Sequence, residues 1–237
     1  MQRYFSNKLI DNKFELKSDD IYHITRVMRM KTGDKIEVVY NEKVHLCCLE
    51  IVNHNVNVNI LSENKKDEQR VCEKVLVIPV LKENKMDLIL QKATELGVDK
   101  IIPIAMERCI VKVDADREEK KLERWNRICK EASEQSMRVT IPVITPVKKL
   151  EDLENMDGVK LVCSTIERKN TIKMFLQSHK TYDKIIIAIG PEGGLSLKEE
   201  QYLNSIGFSS VTLGNQIMRV ETVPMFMLSV INYENME

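Results

Sequence analysis

The chain has 237 residues, of which 43% are hydrophobic and 30% charged, a composition typical of a folded globular protein rather than a disordered one. Lys plus Arg and Asp plus Glu both number 36, so the formal net charge is zero and any nucleic-acid binding must come from a local basic patch. No apolar stretch approaches the ~20 residues of a membrane-spanning helix, and no cleavable signal pattern is expected. Six scattered cysteines without a C-x-x-C pair indicate free thiols in a reducing cytoplasm.

The first 61 residues have the pattern of short strands and turns. Strands are predicted over Lys35–Tyr40, 44–52 and 56–61, and together they favour a small β-barrel or sandwich. Residues 62–70 are polar and charged without apolar periodicity, which makes them the best linker candidate. The predicted domains are therefore residues 1–70 and 71–237.

The rest of the chain alternates between strand and helix patterns, which predicts an α/β domain with a mostly parallel sheet. The predicted strands are 74–81, 100–105, 160–164, Lys184–Ile189 and 209–213, and the predicted helices are 86–96, 120–137, 171–179 and 198–206. The longest helix has an apolar face that includes Leu122, Trp125, Ile128, Cys129 and Ala132.

A glycine-rich turn, G-P-E-G-G at residues 190–194, directly follows the apolar run Lys184–Ile189. Glycine lets a main chain turn sharply and approach a ligand closely. Ser196 and Glu199 form a capping-box pattern, so a helix is predicted to start at Leu197, with the turn at its N-terminus. Neither a P-loop nor a Rossmann motif fits this spacing. An ordinary tight strand–helix connection is an equally weighted alternative.

A second turn, L-G-N-Q-I-M-R-V-E-T at residues 213–222, follows another short strand. Thr222 is predicted to cap the C-terminal helix and Pro224 to lie in its first turn. Arg219 and Glu221 are either functional charges or a surface ion pair worth under ~1 kcal/mol. Because ligands bind at the carboxyl ends of strands in open α/β sheets, the two turns indicate a site built largely from backbone.

The N-terminal region supplies a basic patch, since its first 35 residues contain eight Lys or Arg and five Asp or Glu, a net charge of +3. Arg26 and Arg29 are three residues apart, so a helix would present them together to phosphate groups. A solvated helix face is the alternative.

A metal site is not expected, although four metal-ligating side chains lie close together in the sequence. Cys47 and Cys48 are adjacent, which does not match zinc-site spacing and points the two to opposite faces of a strand. The other two are His45 and His54.

Taken together, these motifs resemble the bacterial 16S ribosomal RNA (uracil-N3)-methyltransferases of the SPOUT superfamily. The resemblance runs from Arg3-Tyr4-Phe5 to the two glycine turns and so spans nearly the whole chain. Between these ends it rests on His23, R-V-M-R-M at 26–30, K-M-D-L at 85–88, Q-K-A-T-E-L-G-V at 91–98, E-R-C at 107–109, K-L-E-R-W at 121–125 and E-Q-S at 134–136. The chain departs from the family at Cys163-Ser164, where His-Pro or His-Glu is frequent, at Met137, where glycine is usual, and at Val220 and Val223-Pro224, where Thr and Ala-Ala are common.

The resemblance implies a fold and a donor. It implies an N-terminal PUA-like β-barrel that grips RNA and a C-terminal SPOUT-type α/β domain with a deep trefoil knot. It implies S-adenosylmethionine as the methyl donor and a homodimer with the C-terminal helix at its interface. By position, the implied donor-binding residues are Cys163, Ser164, Ile189, Gly190, Pro191, Glu192, Gly193, Gly194, Leu213, Gly214, Ile217, Met218, Arg219 and Thr222.

The implied reaction is methylation at N3 of a uridine in 16S ribosomal RNA, either naked or within the 30S subunit. The candidate catalytic residues are Arg3, Arg138, Arg219 and Glu221, where Glu221 either orients Arg219 or only pins its loop. The candidate RNA contacts are Arg3, Arg26, Arg29, Lys31 and Lys85. Two alternatives stay open: a SPOUT enzyme that acts on another RNA position, such as a ribose 2′-hydroxyl of transfer RNA, and a non-catalytic RNA-binding or ribosome-assembly factor.

Overall fold

A computed structural model describes residues 1–52, 55–63, 71–111 and 115–236, with only the backbone of residue 115. The chain folds into two compact units: Met1–Gln69 with Ser133–Ile141, and Arg70–Ala132 with Pro142–Glu237. The sequence predicts one division near residue 70, which stays a prediction, and it gives no sign that Ser133–Ile141 groups with the first unit.

Six strands form the sheet of the first unit. They are β1 (Arg3–Phe5), β2 (Leu9–Ile10), β3 (Lys13–Phe14), β4 (Lys35–Tyr40), β5 (Lys43–Val52) and β6 (Asn55–Glu63). Their order is β1-β4-β5-β6-β3-β2, with β1 and β4 parallel and the other neighbours antiparallel. The three strands predicted for this region are confirmed as β4, β5 and β6. Two residues of the predicted linker belong to β6, and the remainder of that linker, residues 64–70, lies outside the described residues.

A short helical segment follows β3 and helps to close the core of this unit. Helix α1 (Ser18–Tyr22) continues into a π-helical turn, His23–Val27, whose Ile24 is fully buried. Arg29 lies beyond this turn with φ +52°. The prediction that one helix face presents Arg26 and Arg29 together is therefore wrong, because the chain leaves the helix before it reaches Arg29.

The second unit contains a six-stranded parallel sheet, which confirms the predicted α/β architecture. Its strands are β7 (Glu73–Pro79), β8 (Lys100–Ile104), β9 (Val143–Ile144), β10 (Val159–Cys163), β11 (Lys184–Ile189) and β12 (Ser209–Val211). They lie in the order β12-β10-β11-β7-β8-β9. Residues 185–189 of β11 are all buried, as expected for a central strand covered on both faces. The two-residue strand β9 is too short for its apolar pattern to predict it.

In the part of the chain that the structure describes, a 3₁₀ turn at Leu150–Leu153 and five α-helices accompany this sheet: α2 (Glu83–Glu95), α3 (Ala115–Gln135), α4 (Ile172–Ser178), α5 (Leu197–Ser205) and α6 (Thr222–Glu234). Helix α5 starts at Leu197 as predicted, because the capping box forms: the Ser196 hydroxyl accepts from Glu199 N and the Glu199 carboxylate from Ser196 N. On the predicted apolar face of α3, Trp125 and Cys129 are buried.

The predicted cap of the last helix is wrong by one residue. Glu221 is the N-cap of α6 and makes no side-chain cap hydrogen bond, whereas Thr222 is the first helical residue. Pro224 lies in the first turn as predicted, where its missing N–H costs little. Within the described ranges, no helix is long and apolar enough to cross a membrane. The trefoil knot stays a prediction.

Candidate functional site

Three loops of the second unit leave one edge of its sheet. We define the first loop as residues 190–194, after β11, the second loop as 213–221, after β12, and the third loop as 164–170, after β10. In the sheet register Cys163 pairs with both Ile189 and Val211, so the three strands end side by side. Because these strands are parallel, the loops start at the same edge, as expected of a ligand site in an open α/β sheet.

The first loop is fixed by an arginine from another part of the chain. Arg108 Nη1 donates to the carbonyl of Gly193 at 2.9 Å and to that of Leu195 at 3.2 Å. Within the loop, Gly194 N donates to the Pro191 carbonyl at 2.8 Å. A Cβ on Gly190 would lie 2.9 Å from the Leu195 amide nitrogen, so the chain folds back too closely there for any other residue.

Arg108 is itself held in position by helix α5. The preceding residue, Glu107, donates its backbone N–H to the buried carboxylate of Glu199 at 2.7 Å. The same carboxylate closes the capping box with Ser196. The segment that carries Arg108 and the helix that follows the first loop therefore share one buried acceptor, an arrangement that the sequence motif E-R-C did not reveal.

The second loop has a longer exposed stretch than the first loop, in which residues 192 and 193 are exposed. Residues 214–217 are exposed, and Ile217 reaches 82% exposure. Gly214 has φ +122°, and a Cβ added there would meet no atom within 4 Å, so this glycine serves the backbone conformation rather than close packing. The loop is tied at its end, where Thr222 N donates to the Arg219 carbonyl at 2.9 Å.

The third loop is organised by two of its own side chains. The Ser164 hydroxyl accepts from Ile166 N and Glu167 N, both at 3.1 Å. Glu167 Oε1 accepts from three backbone N–H groups, and these bonds, from Lys169, Asn170 and Arg168, lower the pKa of Glu167. Ser164, an expected donor contact, thus uses its hydroxyl oxygen to shape its own loop.

The third loop also approaches the first loop. A Cβ on Gly194, whose φ is +71°, would lie 3.6 Å from the hydroxyl oxygen of Thr165. Burial raises the pKa of the neighbouring Cys163 thiol to about 12, so this expected donor contact stays neutral at physiological pH. A neutral thiol offers packing and a weak hydrogen bond, not a charge or a nucleophile.

One lysine connects the first and second loops. Lys85 Nζ lies 3.1 Å from Glu192 Oε1 and 3.5 Å from Glu221 Oε2. Glu221 therefore pairs with Lys85 rather than with Arg219, and the alternative that it orients Arg219 is wrong. Arg219 is exposed and has no ion pair among the described side chains. Lys85, an expected RNA contact, forms ion pairs with the carboxylates of Glu192 and Glu221.

The other expected catalytic arginines belong to the first unit. Arg3 donates to Glu37 Oε2 through Nε at 2.9 Å and Nη2 at 2.7 Å, and through Nη1 to the Met137 carbonyl. Arg138 Nη2 lies 3.3 Å from the Thr140 hydroxyl. The geometry gives Arg3 a structural role in this unit, and the catalytic roles of Arg3 and Arg138 stay predictions.

The remaining expected RNA contacts also lie in the first unit. Arg26, Arg29 and Lys31 are all exposed, as a phosphate contact requires. In the same unit, His45 is buried with its ring centroid 5.0 Å from that of Phe14. The described stretches contain no cluster of three His, Cys, Asp or Glu residues suited to a metal, and His54 lies outside them.

Family models match both parts of the chain. Residues 67–232 match the RNA methyltransferase domain, and residues 16–63 match the RNA methyltransferase PUA domain. The chain belongs to the RNA methyltransferase family. The family and the fold class expected from the sequence motifs are thereby confirmed.

Full-length relatives of this RNA methyltransferase agree with the family models. The chain is 32% identical over 248 residues to ribosomal RNA small subunit methyltransferase E of Bacillus subtilis, covering 99% of the chain and 97% of the relative. It is 33% identical to the enzyme of the same name from Mesomycoplasma hyopneumoniae, with 97% and 98% covered. Among solved structures, that of ribosomal RNA small subunit methyltransferase E from Neisseria gonorrhoeae, bound to S-adenosyl methionine, superposes with a TM-score of 0.88 at 31% identity, covering 98% of this chain and 97% of that one.

Proposed function

We propose that this RNA methyltransferase transfers a methyl group from S-adenosylmethionine to N3 of a uridine in 16S ribosomal RNA of the small subunit. The observation that carries the proposal is the convergence of three loops at the carboxyl ends of β10, β11 and β12. Support for the donor and the RNA comes from relatives whose names specify a small-subunit ribosomal RNA methyltransferase and from a similar structure bound to S-adenosyl methionine.

The residues of the three loops fit a nucleoside donor. The exposed Ile217 offers an apolar surface. The glycine-rich first loop lets a ligand approach its main-chain N–H and C=O groups closely. Glu221 fixes the end of the second loop, because its Oε2 is buried and lies 3.5 Å from Lys85 Nζ. Cofactor pockets typically combine an apolar lining with a few placed polar groups, which include backbone N–H and C=O groups.

When bound, S-adenosylmethionine supplies an electrophilic methyl group on a positively charged sulfur. The chain's own contribution is mainly positioning, since the loops fix where a base and a donor meet. Arg219 is exposed on the second loop, where its guanidinium would stabilise the negative charge that uracil N3 carries once its proton has passed to solvent. N3 then uses that electron pair to bond the methyl carbon, and the electron pair of the broken carbon–sulfur bond stays on sulfur. Because N3 lies on the Watson–Crick edge, the target base must be unpaired or flipped.

The first unit is proposed to hold the RNA. The match of residues 16–63 to an RNA methyltransferase PUA domain supports this role. Exposed Arg26, Arg29 and Lys31 are proposed to contact phosphates, which position RNA without reading its sequence. We also propose that the enzyme works in the cytoplasm as a homodimer through α6.

The direct test is to map the product. The full chain is incubated with S-adenosylmethionine and undermethylated small subunits, or with naked 16S ribosomal RNA. The RNA is then digested and its nucleosides are identified by mass spectrometry. We expect N3-methyluridine at one position. A methyl group on another atom would favour a different RNA methyltransferase activity, and failure to bind the donor in calorimetry would favour a non-catalytic RNA-binding factor.

Two arginine variants make this test specific to the second loop. Arg219→Ala is expected to lower kcat by about 10²-fold, the usual effect of losing one charge-stabilising donor. Arg127→Ala, an exposed arginine on α3, is the matched control and should keep wild-type kcat. Equal kcat for both variants would remove Arg219 from the mechanism.

A further inference from the structure

Lys85 occupies a position in α2 that helix stability alone does not favour. It lies in the first turn of this helix, where the macrodipole is positive and a lysine is electrostatically unfavourable. Its neighbour Met86 is fully buried, which fixes the register of the helix and therefore the direction from which Lys85 leaves it. The lysine is compensated by carboxylates from elsewhere in the second unit.

The two partners of Lys85 come from different loops. Glu192 is the central residue of the first loop and Glu221 the last residue of the second, and their side chains are 29% and 16% exposed. The hydrogen bond from Lys85 to Glu192, followed by the charges of both carboxylates, raises the pKa of Lys85. The ammonium therefore stays charged, and it lies close enough to attract both loops at once.

Glu221 depends on Lys85 more strongly than Glu192 does. Its Oε2 is buried and makes no hydrogen bond within the described parts of the chain, so the ammonium at 3.5 Å is the one cation that the structure pairs with it. Removing the partner of a largely buried charge is costly because the charge is left uncompensated. Without Lys85, two carboxylates of like charge would face each other across the loops.

We propose that Lys85 is a positioning residue that holds the first and second loops at the spacing required for donor binding. This inference rests on the proposed function, because it assumes that these loops bind the donor. Lys85 stabilises the arrangement by pairing with one carboxylate from each loop. If the loops adopt that arrangement about one tenth of the time without it, the apparent Kd for the donor rises about tenfold.

This role differs from an RNA contact in what it affects. A lysine that binds an RNA phosphate would change RNA affinity and leave donor affinity unchanged. A lysine that positions the loops would change donor affinity and leave RNA affinity unchanged. A purely electrostatic effect of Lys85 would also give a different result. Removing its positive charge would strengthen binding of the cationic donor relative to the product S-adenosylhomocysteine, whose sulfur is uncharged. Loss of positioning would instead weaken the binding of donor and product by a similar factor.

The experiment compares Lys85→Met with Lys92→Met in the full chain. Lys92 is on the same helix and pairs with Glu95 at 2.9 Å, an ion pair confined to α2. Calorimetric titration with S-adenosylmethionine and with S-adenosylhomocysteine is expected to show both ligands about tenfold weaker for Lys85→Met. Lys92→Met should match the wild type, and Lys85→Arg should recover most of the affinity. In turnover assays KM for the donor should rise while kcat at saturating donor stays within about twofold.

Each outcome bears on the inference. Equal donor affinity for Lys85→Met and Lys92→Met, or a loss of RNA affinity alone, would overturn it while leaving the proposed function intact. A wild type that binds neither ligand would overturn the proposed function and this inference with it. If Lys85→Met does not fold, Lys85→Gln takes its place, because it removes the charge that pairs with Glu192 and Glu221 while keeping a polar side chain, and the same losses of affinity for both ligands are expected.

Discussion

The first and second loops follow neighbouring parts of one sheet, yet they are held in different ways. The first loop is fixed by contacts with other parts of the chain. Arg108 donates to the carbonyls of Gly193 and Leu195, and a buried capping box follows the loop. The second loop is held by a backbone hydrogen bond from Thr222 to Arg219 at its C-terminal end, but its middle is exposed, and Ile217 is 82% exposed. One half of the candidate site is therefore preorganised, whereas the other half depends on Lys85 and on the ligand itself.

This difference has a consequence for how substitutions act. A preorganised loop loses affinity when a contact that fixes its backbone is removed or a clash is introduced. An exposed loop tolerates such changes better, because its neighbours can move. Changes elsewhere in the molecule should alter stability without altering donor affinity.

The largest effect is expected from Gly190→Ala in the first loop. The added Cβ would lie 2.9 Å from the Leu195 amide nitrogen and 3.0 Å from Leu195 Cγ, so the backbone must shift. A shift of this kind is expected to weaken donor binding about 100-fold. Calorimetric titration with S-adenosylmethionine measures it.

The control for this change is Gly207→Ala in the same unit. Gly207 has φ +93° and ends α5, so alanine there is strained but remote from the first loop in sequence. It should lower stability by about 1 kcal/mol and leave donor affinity unchanged. Similar losses of donor affinity in both variants would mean that general destabilisation, rather than the first loop, decides binding.

A smaller effect is expected from Arg108→Met. This change removes both hydrogen bonds from Arg108 to the first loop while keeping much of the side-chain length. Because Arg108 is exposed, we expect about a tenfold loss of donor affinity rather than the full value of two buried bonds. Arg127→Met is the matched control, and equal affinity in the two variants would argue against a preorganised first loop.

A change in the first unit should affect stability alone. Met137 has φ +59°, the left-handed conformation that favours glycine, and glycine is the residue expected there from the family resemblance. Met137→Gly is expected to raise the free energy of unfolding by about 1 kcal/mol, whereas Gln135→Gly at the end of α3 should lower it. Denaturant unfolding measures both, and a loss of stability for Met137→Gly would contradict the strain argument.

The smallest effect concerns pH and the half-buried thiol of Cys163 at the end of β10. Burial raises the pKa of Cys163 from its ordinary value of 9.0 to about 12. Its contribution to stability is therefore fully present below about pH 9, and it declines as the pH rises towards 12, because the unfolded thiol ionises first. Cys163→Ser should lose free energy of unfolding less steeply than the wild type between about pH 8 and pH 10. Parallel slopes would place this thiol in contact with solvent.

Local patterns predicted β4 to β8, β10 to β12 and α2 to α6, but not β1 to β3, α1, β9 or the contacts between elements. The start of α5 at Leu197 was predicted because Ser196 and Glu199 are only three residues apart and satisfy each other. The strands β10, β11 and β12 were predicted from their apolar runs, and with them the edge at which the loops meet.

The missed contacts of the candidate site depend on residues far apart in sequence. The pairing of Lys85 with Glu192 and Glu221 spans more than one hundred residues, and no periodicity in the sequence reports such an ion pair. Arg108 and Gly193 are 85 residues apart, and their hydrogen bond is equally invisible to a sequence pattern. The conformation of Arg29 was missed for another reason: its residue type is compatible with a helix, and only the local end of the π-helical turn moves it away from Arg26.

Hydrogen exchange with and without S-adenosylmethionine tests the central claim most directly, because it reports on the backbone of each loop separately. In the free protein, amides of the first loop should exchange more slowly than those of the second loop. Adding the donor should slow exchange in both, with the larger change in residues 213–221. Unchanged exchange in both loops, or protection confined to another part of the chain, would contradict the assignment of this edge of the sheet as the donor site.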